Sequence, residues 1–155
     1  MTPIRVLFLC SDNSCRSQMA EGFLRRYGGE AFEVTSAGLQ PKPIHPQTVD
    51  VMARSGVDIS HHRSRPLADL RSQSFDFVIT VCDRARETCP SVPSTRRLIH
   101  WQFGDPSQTS GTPFEVKKAF MRTRDEIASR VRLFADAQAR RNRRVQVQPV
   151  ASASE

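Results

Sequence analysis

Cys10 and Arg16 lie in Cys10-Ser11-Asp12-Asn13-Ser14-Cys15-Arg16-Ser17 with five residues between them. An apolar run, Ile4 to Leu9, precedes this stretch and a helix-like segment follows it. A five-residue loop between a strand end and a helix start can curl so that its backbone N–H groups point inward, and the helix N-terminus adds partial positive charge. Ser11, Asp12, Asn13, Ser14, Cys15, Arg16 and Ser17 are therefore expected to form a cup for a tetrahedral oxyanion, with Cys10 at its centre. Loop amides, the Arg16 guanidinium and the Ser17 hydroxyl all favour thiolate over thiol. The spacing thus predicts a Cys10 pKa below the free value of about 8.5, and a nucleophile facing the bound anion.

The surrounding elements must bring other reactive groups to that cup. Residues 4–9 predict a buried strand. Met19, Ala20, Phe23 and Tyr27 then share one helical face, and Gly28-Gly29 stops the helix. A second strand is predicted over 32–37, followed by a helix over 46–55 with Val49, Met52 and Ala53 inward and Gly56 as its stop. Strands over 75–81 and 97–101 come next, with a short helical turn expected around 67–71. Thr112-Pro113-Phe114-Glu115 reads as a capping box that opens a final helix with Phe120, Ile127, Val131 and Phe134 on one face. Alternating strands and helices imply an α/β fold, a four-stranded parallel sheet with right-handed crossovers and helices on both faces. In such sheets the site lies at the strand carboxyl ends. Cys10, Cys82 and Asp105 all fall there.

The chain has 155 residues and a formal charge of +7, carried by arginine because the only lysines are Lys42, Lys117 and Lys118. One domain over 1–139 is expected, followed by a basic, disordered tail over 140–155. The densest basic cluster, Arg140-Arg141-Asn142-Arg143-Arg144, has no interleaved aromatic residues for base stacking. We read it as a solvated helix end and expect no nucleic-acid partner. No stretch reaches the ~18 apolar residues of a membrane span, and no signal peptide is legible. A cytoplasmic monomer without a membrane partner is expected. In that compartment four cysteines point to catalysis or metal rather than a disulfide framework. The spacings of Cys10 to Cys15 and of Cys82 to Cys89 suit zinc poorly, even with His45, His61, His62 and His100 available. Neither a metal nor another cofactor is expected.

The Cys10–Ser17 loop followed by Gln18-Met19-Ala20-Glu21, the Thr35-Ser36-Ala37-Gly38 segment, the pair Cys82 and Cys89, and Asp105-Pro106 resemble the thioredoxin-coupled arsenate reductases. These are built on the low-molecular-weight protein tyrosine phosphatase fold. The resemblance covers residues 4–138 and implies a relay. Arg16 and the loop amides would bind arsenate, Cys10 would attack arsenic, and Asp105 would protonate the departing oxygen. Cys82 would then attack Cys10 and release arsenite. Cys89 would attack Cys82, leaving a Cys82–Cys89 disulfide for thioredoxin to reduce. If 83–88 is helical when reduced, seven steps of 1.5 Å separate the two Cα atoms by about 10.5 Å. A disulfide tolerates at most ~7 Å, so oxidation is expected to unwind that segment.

Four positions depart from the resemblance or stand outside it. Asp12 replaces a small residue, where a carboxylate should weaken anion binding unless it points outward; capping of the helix is one alternative, and we favour a role in the shape of the loop. Some relatives bind potassium through oxygens matching Asn13, Glu21 and Ser36 and the segment after His62. Arg63 and Arg65 stand in that segment here, which argues for potassium-independent activity. Cys15 has no place in the relay and is expected to be a packed thiol, with Trp101 and Phe103 in the core. The rival reading is a phosphatase that hydrolyses phosphate esters through a phosphocysteine. Pro106-Ser107-Gln108-Thr109-Ser110 offers no aromatic wall for it. A redox sensor or anion-binding module ranks third.

Overall fold

A computed structural model of the protein describes residues 2–83, 85 and 94–147, with side chains as far as residue 145. Four strands, β1 (Ile4–Cys10), β2 (Phe32–Gly38), β3 (Ser74–Thr80) and β4 (Ser94–His100), form one parallel sheet in the order β2-β1-β3-β4. Near-continuous apolar runs make β1 and β3 the central strands, because a parallel strand is covered on both faces. Val6 and Phe8 on one face and Leu7 and Leu9 on the other are all buried. From β1 the chain crosses to β2 on one side and then returns to β3 on the other. The sheet therefore reverses direction at β1, where a crevice opens at the strand carboxyl ends. Cys10 is the last residue of β1.

Helix α1 (Arg16–Gly28) packs on β1 and β2, and α3 (Pro113–Val147) lies against α1. The Phe134 ring of α3 meets Phe32, Phe77 and Trp101 at 5.1 to 6.0 Å, tying the helix to the sheet. Phe120, Ile127, Val131 and Phe134 are buried as the spacing predicts. The Thr112 hydroxyl accepts from the Glu115 amide at 3.2 Å and caps the first turn of α3.

Two expectations require correction. Helix α2 (Pro46–Arg54) buries Thr48, Val51 and Met52, whereas Ala53 is exposed and Val49 only partly covered. Thr48 turns inward because its hydroxyl donates to the Ser14 carbonyl at 3.2 Å. Arg124 of α3 reaches the Val51 carbonyl at 3.0 Å and rotates the stripe further. Helix α3 also runs through the basic cluster to Val147, past the expected boundary at 139. Arg, Ala and Gln are strong helix formers, and positive charge complements the C-terminal end of the helix dipole. The four arginines of that cluster are exposed along the helix, as a solvated end should be. No helix among the described residues is long and apolar enough to cross a membrane.

Candidate active site

The loop after β1 is held by its carbonyls, which leaves its amides for a ligand. Leu39, Gln40, Lys42 and His45 donate their N–H groups to the carbonyls of Cys10, Ser11, Asp12 and Ser14 at 2.9 to 3.2 Å. Those carbonyls are thereby turned out of the cup. Asn13 sits at φ 52°, a left-handed conformation that Asn tolerates better than most residues. Its side-chain nitrogen donates to Ser17 Oγ at 2.8 Å and to Ser36 Oγ at 2.9 Å. Asn13 Oδ1 accepts from the Arg65 amide at 2.9 Å. Gly38 has no room for a side chain, since a Cβ there would lie 2.9 Å from the backbone of Asp12 and Asn13. Asp12 points outward, 3.9 Å from Lys42 Nζ.

Cys10, Cys15 and Cys82 are buried free thiols. The parallel register pairs Leu9 with Thr80, and the Val81 amide donates to the Leu9 carbonyl at 3.0 Å. Cys82 is thereby carried to the side of Cys10, and the two sulfurs share a hydrogen bond. Cys82 is held down at about 6, first by that hydrogen bond from Cys10, with the Ala85 and Ser11 backbone and Arg16 adding to it. Cys10 is pushed well above the usual thiol range by the same bond and by burial, against the pull of Arg16. The two thiols therefore titrate as a pair that shares one negative charge and one proton across the hydrogen bond at neutral pH. The ionisation expected of Cys10 is thus one held in common with Cys82, because a second thiolate beside the first is electrostatically costly. Burial pushes Cys15 up to about 12, consistent with a packed thiol. Cys89 lies outside the described residues, as does most of the segment expected to unwind.

Arg16 opens α1 and spans to the loop after β4. Its Nη1 donates to the Phe103 carbonyl at 2.9 Å, and Nη2 lies 3.5 Å from Asp105 Oδ2. Asp105 Oδ1 accepts from the Ser107 amide at 3.0 Å and its hydroxyl at 2.6 Å, which fixes the carboxylate at the start of a short turn, Pro106–Gln108. Cys10, Arg16, Cys82 and Asp105 thus converge at one sheet edge. The Phe103 contact left no trace in the sequence, because a backbone carbonyl carries no residue signature. Trp101 is buried and Phe103 packs partly against the core.

Beneath the loop a chain of polar groups runs into α1. Ser36 Oγ donates to Glu21 Oε1 at 3.0 Å, and Glu21 Oε2 faces His62 Nδ1 at 3.0 Å and Arg25 Nε at 3.5 Å. Asn13, Glu21 and Ser36 do meet here, yet they do not suit a potassium ion. Glu21 is already matched by two nitrogen groups, and Asn13 Oδ1 is taken by Arg65 N and by Gln18 Nε2 at 3.2 Å. Among the described residues no cluster of His, Cys, Asp and Glu suits a metal ion.

A strand-ending cysteine, an amide-lined loop and an arginine opening the next helix make a thiol site with the donors to hold an oxyanion, on a four-stranded α/β sheet. Residues 5–146 match the family described as low molecular weight phosphotyrosine protein phosphatase, and the chain belongs to that family. Among its relatives, the arsenate reductase of Halalkalibacterium halodurans is 41% identical over 131 residues, 84% of this chain and 94% of that protein. The arsenate reductase of Bacillus subtilis is 40% identical over 131 residues, with the same coverage of each chain. A solved arsenate reductase in the phosphate binding state superposes with a TM-score of 0.75 at 32% identity, over 86% of this chain and 98% of that one.

Proposed function

We propose that the protein is an arsenate reductase that works through three cysteines and is regenerated by thioredoxin. One observation carries this reading: a second buried thiol, Cys82, is hydrogen-bonded to Cys10 inside the oxyanion cup. Ester hydrolysis has no use for it, whereas reduction needs an electron pair delivered there. Relatives at about 40% identity named arsenate reductase support the same assignment.

The loop amides and Arg16 bind arsenate and orient arsenic in front of Cys10. The Cys10 proton passes to the neighbouring Cys82 thiolate or to an arsenate oxygen, and Cys10 Sγ forms a bond to arsenic as Asp105 protonates the oxygen that leaves as water. Cys82, once deprotonated, attacks Cys10 Sγ. The sulfur–arsenic bond breaks, its electron pair stays on arsenic, and arsenite departs from a Cys10–Cys82 disulfide. Cys89 then attacks Cys82, freeing Cys10 and forming Cys82–Cys89, which the dithiol of thioredoxin reduces.

The test compares wild type with Cys82→Ser for arsenate turnover with thioredoxin and for aryl phosphate hydrolysis. The relay predicts that the variant loses arsenate turnover and keeps any hydrolysis. Wild type that hydrolyses the ester and never reduces arsenate would establish the phosphatase instead, and absence of both activities would leave a sensor.

A further inference from the structure

A cavity of about 580 Å³, lined by neither Cys10 nor residues 11–17, is walled by α1, β2 and the segment 61–66. Its cationic lining is Arg25, Arg63 and Arg65, with His61 and His62 beside them. Two carboxylates share the wall. Glu21 is already faced by Arg25 and His62, and Asp69 is exposed. Arg63 and Arg65 are exposed and have no carboxylate partner among the described residues. Two guanidiniums two residues apart on one cavity wall are an unmatched pair of forks, and such forks fit the oxygens of a tetrahedral oxyanion bidentately.

We propose that this cavity is a second oxyanion site, in which Arg63 and Arg65 grip a phosphate-like group and Arg25 and His61 line its mouth. A cavity this size also admits an organic group attached to the anion, since small-molecule sites span about 300–1,000 Å³. The ligand chemistry is a tetrahedral dianion, either free or borne by a phosphorylated metabolite. The segment that would grip it also holds the catalytic loop. The Arg65 amide donates to Asn13 Oδ1 at 2.9 Å, Ser64 Oγ donates to the Asn13 carbonyl at 2.9 Å, and the Arg63 carbonyl accepts from Gln18 Nε2 at 3.2 Å. The Arg65 carbonyl accepts from Gly38 N at 2.8 Å. An anion that orders residues 63–65 therefore orders Asn13, and the second site couples to the first through these bonds.

The test is calorimetric titration of full-length reduced protein with inorganic phosphate and, separately, with glucose 6-phosphate. Arg16→Ala is used to weaken the catalytic cup. We expect Arg16→Ala to retain a binding site for at least one of the two probes, and the tighter probe identifies the source of the anion. Adding Arg63→Gln and Arg65→Gln should abolish that site. Amide chemical shifts at residues 61–65 should saturate with the same midpoint in Arg16→Ala, a reading that needs no further variant. Neither probe binding Arg16→Ala, binding unaffected by the arginine pair, or shifts confined to residues 11–17 would overturn the proposal. Because the readout is binding, its failure is distinguishable from failure of the arsenate reading.

Discussion

The thiols of Cys10 and Cys82, seventy-two positions apart, share one hydrogen bond at the carboxyl ends of β1 and β3, and so share one ionisation. The hydrogen bond between them lowers Cys82 and raises Cys10, with burial adding to the rise of Cys10 and Arg16 drawing both down. Alkylation by iodoacetamide, mapped by mass spectrometry, should show Cys82 reacting with an apparent pKa near 6 while Cys10 lags. In Cys82→Ser the neighbouring negative charge is gone and Arg16 acts unopposed by it. Cys10 should then alkylate at pH 7 at least about tenfold faster, the equivalent of one pKa unit. An unchanged or slower Cys10 would refute the shared ionisation.

Gly38 and Asn13 touch without an intervening side chain. The Cβ of Gly38→Ala would meet backbone atoms at 2.9 Å, and backbone cannot swing aside as a flexible side chain does. We expect a loss of about 1–3 kcal/mol, the usual cost of overpacking, together with a lower kcat/KM as the loop is displaced. A thermal melt that matches wild type would contradict this.

Potassium should not activate the protein. The Glu21 carboxylate is matched by His62 and Arg25, and Asn13 Oδ1 is committed to Arg65 and Gln18. Arsenate turnover measured in equal concentrations of potassium and sodium chloride should agree. A severalfold preference for potassium would show that the oxygens of this network release their partners.

His62 sets a pH limit on stability. Burial lowers its pKa from the ordinary 6.5, partly offset by the Glu21 charge. Below that value the unfolded chain takes up a proton that the folded chain resists, so stability falls as pH drops. Cys82 contributes with the same sign: its thiolate stabilises the fold above pH 9, and this contribution declines down to about pH 6, where it is lost. The diagnostic quantity is therefore the difference between wild type and His62→Gln. The fall in melting temperature from pH 7 to 5.5 should be smaller in the variant, and an equal fall would remove His62 from the account.

Much of this molecule is legible in local spacing. The apolar runs of β1 and β3, the Thr112 cap, the Phe120–Phe134 stripe and the five-residue loop between Cys10 and Arg16 are short-range patterns. A residue's neighbours in sequence supply the physics of each, whether burial on both strand faces, a capped amide or a row of amides curled toward one point. Sequence also carried the expectation that Cys10, Cys82 and Asp105 gather at one edge, since the parallel sheet follows from alternating elements.

Tertiary structure decided what depends on groups distant in the chain. Thr48 faces inward because the Ser14 carbonyl awaits its hydroxyl, Arg16 is steered by the Phe103 carbonyl, and Cys10 and Cys82 share one negative charge. Position of charge, like satisfaction of a buried polar group, is a sum over every neighbour in space. Most of those neighbours come from other segments, and only the folded chain brings them together.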